Sequence, residues 1–349
     1  MIKVLIVDDS KVVQELMEHI LTSDPDISIV GIASSGHEAI KLTREKRPDI
    51  ITMDFHMPDM DGSDATRSIM ETTPTPIIIV SGSMGTTDIT RSFELIEAGA
   101  LAVVLRPPGT QHPGFNNARR ELIQTIKLMS EVKVVRHYHR KHKVPVKSAS
   151  VIPAANGINR DLKLVAIGAS TGGPAALQKI LTGLPKEFPL PIVIVQHISP
   201  GFLTGFVQWL STSSGIALQI ASDGEKIKAG TAYMAPDGFH MGVQQGLVIM
   251  LSTLPPENGL KPSVGHLFRS VAQVVGKNAI GVLLTGMGKD GAAELKEMRD
   301  KGAITIAQDE ESSVIFGMPG EAFKIGAAGH VLPLDRIVEF LTELVKPKE

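Results

Sequence analysis

The chain contains no cysteine. That excludes a disulfide framework, a thiolate nucleophile and a thiolate metal site. The absence suits a reducing compartment and is also compatible with an oxidising one. No charge sign is in excess, since 35 Lys and Arg stand against 37 Asp and Glu, for a formal net charge of −2. No strongly basic face points to nucleic acid. No run of about 18 apolar residues occurs, so no spanning helix is expected. The opening Met1–Ser10 is too short an apolar stretch for a signal peptide and soon meets Asp8 and Asp9. The expectation is a cytoplasmic protein with no nucleic-acid partner and no direct membrane insertion. The G-x-x-x-x-G-K-[ST] phosphate loop is also missing, which argues against a nucleotide-binding enzyme.

What is present suits two domains: 349 residues, of which 43% are apolar. Short β-branched runs at Lys3–Val7, Ile27–Ala33, Ile50–Met53, Ile77–Val80 and Ala102–Leu105 alternate with amphipathic segments. Such βα units predict a parallel sheet covered on both faces. After Leu122–Met129 the pattern is lost. A basic, His-rich stretch from Arg136 to Lys143 and a Pro/Ser/Ala/Asn tract read as a solvated linker, with metal binding by the histidines the weaker alternative. From Leu162 the alternation restarts, with strands at Lys163–Ile167, Ile192–Gln196, Ala279–Thr285 and Ile304–Ala307. Between Ile216 and Ser252, short alternating runs rich in glycine suggest hairpins. The second domain is therefore expected to be α/β, with a mostly parallel sheet and an antiparallel excursion.

In open parallel sheets, functional residues collect at the carboxyl ends of strands. Asp8 and Asp9 follow the first strand and Asp54 follows the third. Three converging carboxylates need a cation, and an all-oxygen donor set favours Mg²⁺. A carboxylate left beside such an ion suits phosphoryl transfer. Ser81 ends the fourth strand and Arg106 follows the fifth.

Val7-Asp8-Asp9-Ser10, Met53-Asp54-Phe55-His56-Met57-Pro58, Met60-Asp61-Gly62 and Val80-Ser81 closely resemble the response-regulator receiver family. The resemblance implies a flavodoxin-like (βα)5 fold with Asp54 as phosphoacceptor and Ser81 as the switch hydroxyl. It also implies Mg²⁺ held by Asp8, Asp9, Asp54 and the His56 carbonyl, and a histidine kinase as phosphodonor. Two positions depart from the family. Arg106 stands where lysine is usual, keeping the charge but changing its reach, and Val103 stands at the aromatic switch position.

In the second domain, Lys163–Gly168 leads into Ala169-Ser170-Thr171-Gly172-Gly173-Pro174, a strand, a tight turn and a helix start. This fits a G-x-S-x-G nucleophile elbow with Ser170 exposed at its tip. The following N–H groups, Thr171 above all, suit an oxyanion. The turn alone would equally cradle a phosphate. His197, directly after the next strand, tips the balance, because one right-handed crossover sets the two strand ends side by side. Asp290 lies beyond a third strand. A helix N-cap is its bland explanation, and both readings are compatible. Hydroxyl, imidazole and carboxylate together supply nucleophile, base and orienting group.

The segments Gly168–Pro174, Val195–Phe202, Ala232–Met241, Leu284–Gly291 and Ser312–Pro319 strongly resemble the chemotaxis protein-glutamate methylesterase family. That resemblance implies a catalytic set of Ser170, His197 and Asp290, with the N–H groups of Thr171 and Met287 at the oxyanion. No cofactor is implied for ester hydrolysis. Methylated chemoreceptors are the implied substrate, and glutamine deamidation is an implied second activity. An unphosphorylated receiver covering the catalytic face is the implied regulation. Where the family usually carries Ser-Val-Asp, this chain has Ser263-Val264-Gly265. The expected organisation is a receiver over 1–130, a linker over 131–160 and a catalytic domain over 161–349. The competing reading is a non-catalytic signalling adapter; a DNA-binding output lacks a basic recognition helix.

Overall fold

The computed structural model describes residues 1–82, 86–132, 134 and 161–346. The chain divides into two compact units, Met1–Val144 and Pro145–Glu349. The expected linker, with its His-rich stretch, falls almost wholly outside the described residues.

The first unit runs β1 (Ile2–Val7), α1 (Lys11–Thr22), β2 (Ile27–Ala33), α2 (Gly36–Lys46), β3 (Ile50–Met53), α3 (Gly62–Thr72), β4 (Ile77–Ser81), α4 (Thr86–Ala98), β5 (Ala102–Leu105) and α5 (Phe115–Met129). The parallel sheet has the order β2-β1-β3-β4-β5. Its central strands are buried throughout, as the uninterrupted apolar runs require. Helix α1 buries Val13, Met17, Ile20 and Leu21, a stripe at helical spacing. Caps set several helix starts: Ser35 accepts from the Glu38 N–H for α2, and Asp61 accepts from the Asp64 N–H for α3. Helix α5 begins at Phe115, well before the expected Leu122, because polar residues fill its first turns and hide the apolar period.

The second unit runs β6 (Leu164–Ala169), α6 (Gly173–Gly183), β7 (Ile192–Gln196), α7 (Leu203–Ser213), β8 (Ala217–Ile220), β9 (Thr231–Met234), β10 (His240–Gln244), β11 (Val248–Ser252), α8 (Val264–Val274), β12 (Ala279–Leu283), α9 (Ala292–Asp300), β13 (Ile304–Gln308), α10 (Met318–Lys324), β14 (His330–Leu332) and α11 (Leu334–Leu344). Seven strands form a sheet of order β14-β13-β12-β6-β7-β9-β8. Every pairing in it is parallel.

Among the described residues, β10 and β11 are the one antiparallel pair of strands. The alternating run at β8 and β9 is not a hairpin, because the two strands lie parallel. Their connection is stitched instead to β11, with Gly224 N–H on Ile249 O and Ile227 N–H on Leu247 O. The short α10 and β14 gave no periodic signal. None of the described helices is long and apolar enough to cross a membrane.

In the large sheet the chain leaves β6 toward β7 on one side and reaches β12 on the other. The carboxyl ends of β7, β6 and β12 are therefore neighbours at a topological switch point. In the first unit the corresponding point lies between β1 and β3.

Candidate active site and acidic cluster

At the switch point of the first unit, oxygen atoms of Asp8, Asp9 and Asp54 lie within 4.8 Å of one another. Asp8 and Asp54 are buried and Asp9 is exposed. Burial pushes the Asp54 carboxyl up to about 6; the Asp8 charge adds to the rise and Arg106 opposes it. Asp8 is also raised, again chiefly by burial. The Arg106 guanidinium spans the cluster, 3.2 Å from Asp8 Oδ2 and 3.4 Å from Asp54 Oδ1. A Cβ added at Gly82 would lie 2.6 Å from Arg106 Nη1, so this position must stay bare for the arginine to lie there. Ser81 is buried at the end of β4, and its carbonyl accepts the Arg106 N–H at 2.8 Å. His56 is exposed in the loop after β3, and Val103 sits in β5 opposite Ile79. An acidic, all-oxygen donor set whose buried members resist ionisation fits a hard divalent cation such as Mg²⁺.

In the second unit, Ser170 follows β6 and His197 follows β7. The strands pair through Ala169 and Gln196, and the His197 N–H donates to Ala169 O at 2.9 Å. Serine and histidine thus leave adjacent strand ends one residue past the last rung. The turn after Ser170 needs glycine at 172, where φ is +78° and a Cβ would sit 2.6 Å from Val314 Cβ. Helix α6 starts at once behind it, and Gly173 N–H donates to Ser170 O at 2.8 Å.

On the other flank, the Ser170 N–H donates to Thr285 O at 3.0 Å. A Cβ at Gly286 would lie 2.6 Å from Ser170 Cβ, so the loop bearing Met287 begins against the serine. Thr171 is tied to the same loop, its carbonyl accepting from Thr285 Oγ1 at 2.9 Å.

His197 and Asp290 are joined directly, with Nε2 2.9 Å from Asp290 Oδ2. Both side chains are largely buried, at 12% and 5% exposure, so water screens the pair little. With Nε2 turned to Asp290, Nδ1 is the ring nitrogen left as an acceptor. Ser170 Oγ itself makes no side-chain hydrogen bond among the described residues; such contacts often tighten only with substrate bound.

Asp290 does not cap the helix that follows it. Helix α9 is capped by Gly291, and the Asp290 carboxylate turns to the first turn of α8. There it accepts from Val264 N–H at 2.7 Å, Gly265 N–H at 3.1 Å and Ser263 Oγ at 2.9 Å. Burial alone would raise its pKa, but the His197 hydrogen bond and charge and the α8 N–H groups outweigh burial and hold it below the usual carboxylate value. Two carboxyl groups crowd the position of the departure, Gly265. A Cβ there would lie 2.9 Å from the Glu294 carboxyl and 3.2 Å from Asp290 Oδ1. Glu294, held by Arg269 at 3.0 Å, takes the space.

Sequence reasoning missed three supporting residues. Gln196 donates through Nε2 to Ser170 O at 2.9 Å and His197 O at 2.7 Å, tying the two strand ends together. Its buried Oε1 has no hydrogen-bond partner among the described residues. Ser263 both caps α8 and holds Asp290. Buried His240 accepts the Ser263 N–H on Nδ1 at 3.2 Å. A polar residue at the end of a strand of unbroken apolar character was the one available signal, and only Gln196 showed it.

These features define the class: a response regulator whose output unit is an α/β domain of hydrolase type. The response regulator receiver domain family matches residues 4–112, and the CheB methylesterase family matches residues 165–341, half of the chain. The chain belongs to the CheB methylesterase family. It is 51% identical over the full length of both chains to protein-glutamate methylesterase/protein-glutamine glutaminase 4 of Geobacter metallireducens. It is 53% identical to protein-glutamate methylesterase/protein-glutamine glutaminase 1 of Syntrophus aciditrophicus, over 99% of this chain and 98% of that one. The crystal structure of the Thermotoga maritima CheB methylesterase catalytic domain is similar at 42% identity and a TM-score of 0.51, covering 53% of this chain and 99% of that one.

Proposed function

We propose that the chain is a phosphorylation-activated serine hydrolase that removes methyl esters from glutamyl side chains of chemoreceptors and deamidates specific receptor glutamines. The observation that carries the reading is the 2.9 Å His197–Asp290 bond beside Ser170 on the adjacent strand end. The non-catalytic adapter reading has no support from the relatives, which are named as enzymes.

Ser170 Oγ attacks the γ-carbonyl carbon while His197 Nδ1 takes its proton. Asp290 stabilises the resulting imidazolium. The Thr171 and Met287 N–H groups receive the oxyanion. Collapse breaks the ester C–O bond, and His197 returns the proton to departing methanol. Water then attacks the acyl-serine by the same route and leaves a free glutamate. A glutamine side chain releases ammonia in place of methanol. No cofactor takes part in these steps.

In the proposed organisation, residues 1–130 are the receiver, 131–160 the linker and 161–349 the catalytic domain. Asp54 accepts a phosphoryl group from a histidine kinase. Asp8, Asp9, Asp54 and the His56 carbonyl would hold Mg²⁺, which neutralises charge on the phosphoryl group when bound. Ser81 and Arg106 would contact the phosphoryl oxygens. Phosphorylation then shifts the population from an inhibited to an active form. A cytoplasmic location fits a kinase donor and the cytoplasmic domains of receptors.

The test is methanol release from methylated receptor. Wild type is expected to release methanol and Ser170→Ala to lose at least about 10³-fold in kcat. Equal release by both proteins would overturn the reading.

A further inference from the structure

The loop Ile315–Met318 packs against the loop that carries Met287. Gly286 N–H donates to Ile315 O at 3.0 Å, and Gly286 O accepts from Gly317 N–H at 3.2 Å and Met318 N–H at 2.8 Å. Gly286 and Phe316 form a parallel bridge. The carbonyl of Gly286 and the N–H of Met287 belong to one planar trans peptide and point in opposite directions. Two donors pinning that carbonyl therefore fix the direction of the Met287 N–H as well.

The pinning loop is itself anchored. Thr285 Oγ1 accepts the Ile315 N–H at 2.9 Å while donating to Thr171 O at 2.9 Å. Gln308 accepts the Thr285 N–H at 2.8 Å and donates to Ser312 O at 2.7 Å. Thr285 and Gln308 are fully buried. Contact at Gly317 is too close for any side chain, because a Cβ would lie 2.6 Å from Gly286 O and 3.0 Å from Gly288 N. Both are backbone atoms and cannot swing aside.

We propose that Ile315–Met318 is a positioning device that locks the Gly286–Met287 peptide with its N–H turned to the substrate oxyanion. The proposal rests on the hydrolase reading with Met287 as a donor. A preorganised donor stabilises charge that develops only in the transition state. A flipped peptide would present the Gly286 carbonyl to the oxyanion instead, replacing attraction by repulsion. Gly317 and Thr285 act through Met287 and are positioning residues, not catalytic ones.

The test uses full-length protein and methylated receptor. Gly317→Ala is expected to lower kcat about 10²-fold, with KM within about twofold of wild type, the signature of an interaction made only in the transition state. A trifluoromethyl ketone analogue of the glutamyl ester, which forms a tetrahedral oxyanion on the serine, is expected to bind more weakly by the same factor as kcat/KM. Thr285→Val should show the same split, and Thr285→Ser, which keeps the hydroxyl, should restore it. Folding is followed by fluorescence of Trp209, the chain's one tryptophan, buried in α7.

Folded Gly317→Ala with wild-type kcat, or with lowered kcat and unchanged analogue affinity, overturns the lock. If Gly317→Ala does not fold, the Thr285 pair decides, and equal kcat for Val and Ser overturns it. Wild-type activity in Ser170→Ala overturns the hydrolase reading and the lock together. Loss in Ser170→Ala without loss in the loop variants overturns the lock alone.

Discussion

Replacing Asp290 by asparagine changes one atom, and the surroundings of that atom decide the cost. Oδ2 faces His197 Nε2 at 2.9 Å and Val264 N–H at 2.7 Å; Oδ1 faces Ser263 Oγ at 2.9 Å and Gly265 N–H at 3.1 Å. An asparagine must present its NH₂ group to one of these pairs. Either choice sets a donor against a backbone N–H that cannot rotate away. At least one backbone hydrogen bond to a buried charge is lost, the remaining ones lose that charge, and the histidine loses its counter-charge. Breaking a buried pair in this way costs about 3–5 kcal/mol. For a unit of this size, roughly 2–4 °C per kcal/mol gives a fall in Tm of about 6–20 °C. Activity should fall further, by about 10³–10⁴ in kcat, because the imidazole loses its orientation and tautomer. Trp209, buried in the second unit, reports its melting by fluorescence, and methanol release from methylated receptor gives kcat. Asp290→Asn with unchanged Tm and kcat within tenfold of wild type would refute the reasoning.

Other expected outcomes follow from the same geometry. Asp54→Asn should abolish stimulation by a small phosphodonor, the ratio of rates with and without donor falling to one; a retained ratio would mean another acceptor. Gln196→Met removes both bonds to the Ser170 and His197 carbonyls but also the unpartnered buried Oε1. Stability should therefore stay within about 1 kcal/mol of wild type, while kcat falls about tenfold from loosened strand ends. A parallel loss of both, or of neither, would contradict this. The depressed pKa of Asp290 makes it stabilising above its unfolded-state value of 3.8, and this contribution is lost as pH falls through the lower folded value. Urea midpoints from Trp209 fluorescence should drop less between pH 5 and pH 3 in Asp290→Ala than in wild type; equal slopes would exclude the linkage.

Local chemistry was legible in the residues themselves. Apolar runs of four to six residues set the strands, and glycine at 172, with its positive φ, marked the elbow. Acidic or polar residues directly after strands marked both sites, because the carboxyl ends of parallel strands are where side chains leave the sheet together. A right-handed crossover sets the ends of β6 and β7 side by side with Ser170 and His197, and the observed strand order adds Asp290 at the end of β12 on the other flank of β6. Tertiary structure alone decided what each end faces. Asp290 turns away from its own helix to the start of α8, some 25 residues earlier in the chain, because that turn offers two N–H groups and a serine hydroxyl that its own helix start does not. The Glu294 carboxyl of α9 lies against Gly265 of α8, and the Gly286 carbonyl is pinned by Gly317 and Met318, about 30 residues away. Hydrogen bonds and close contacts across such spans depend on three-dimensional proximity, and no local period or motif encodes them.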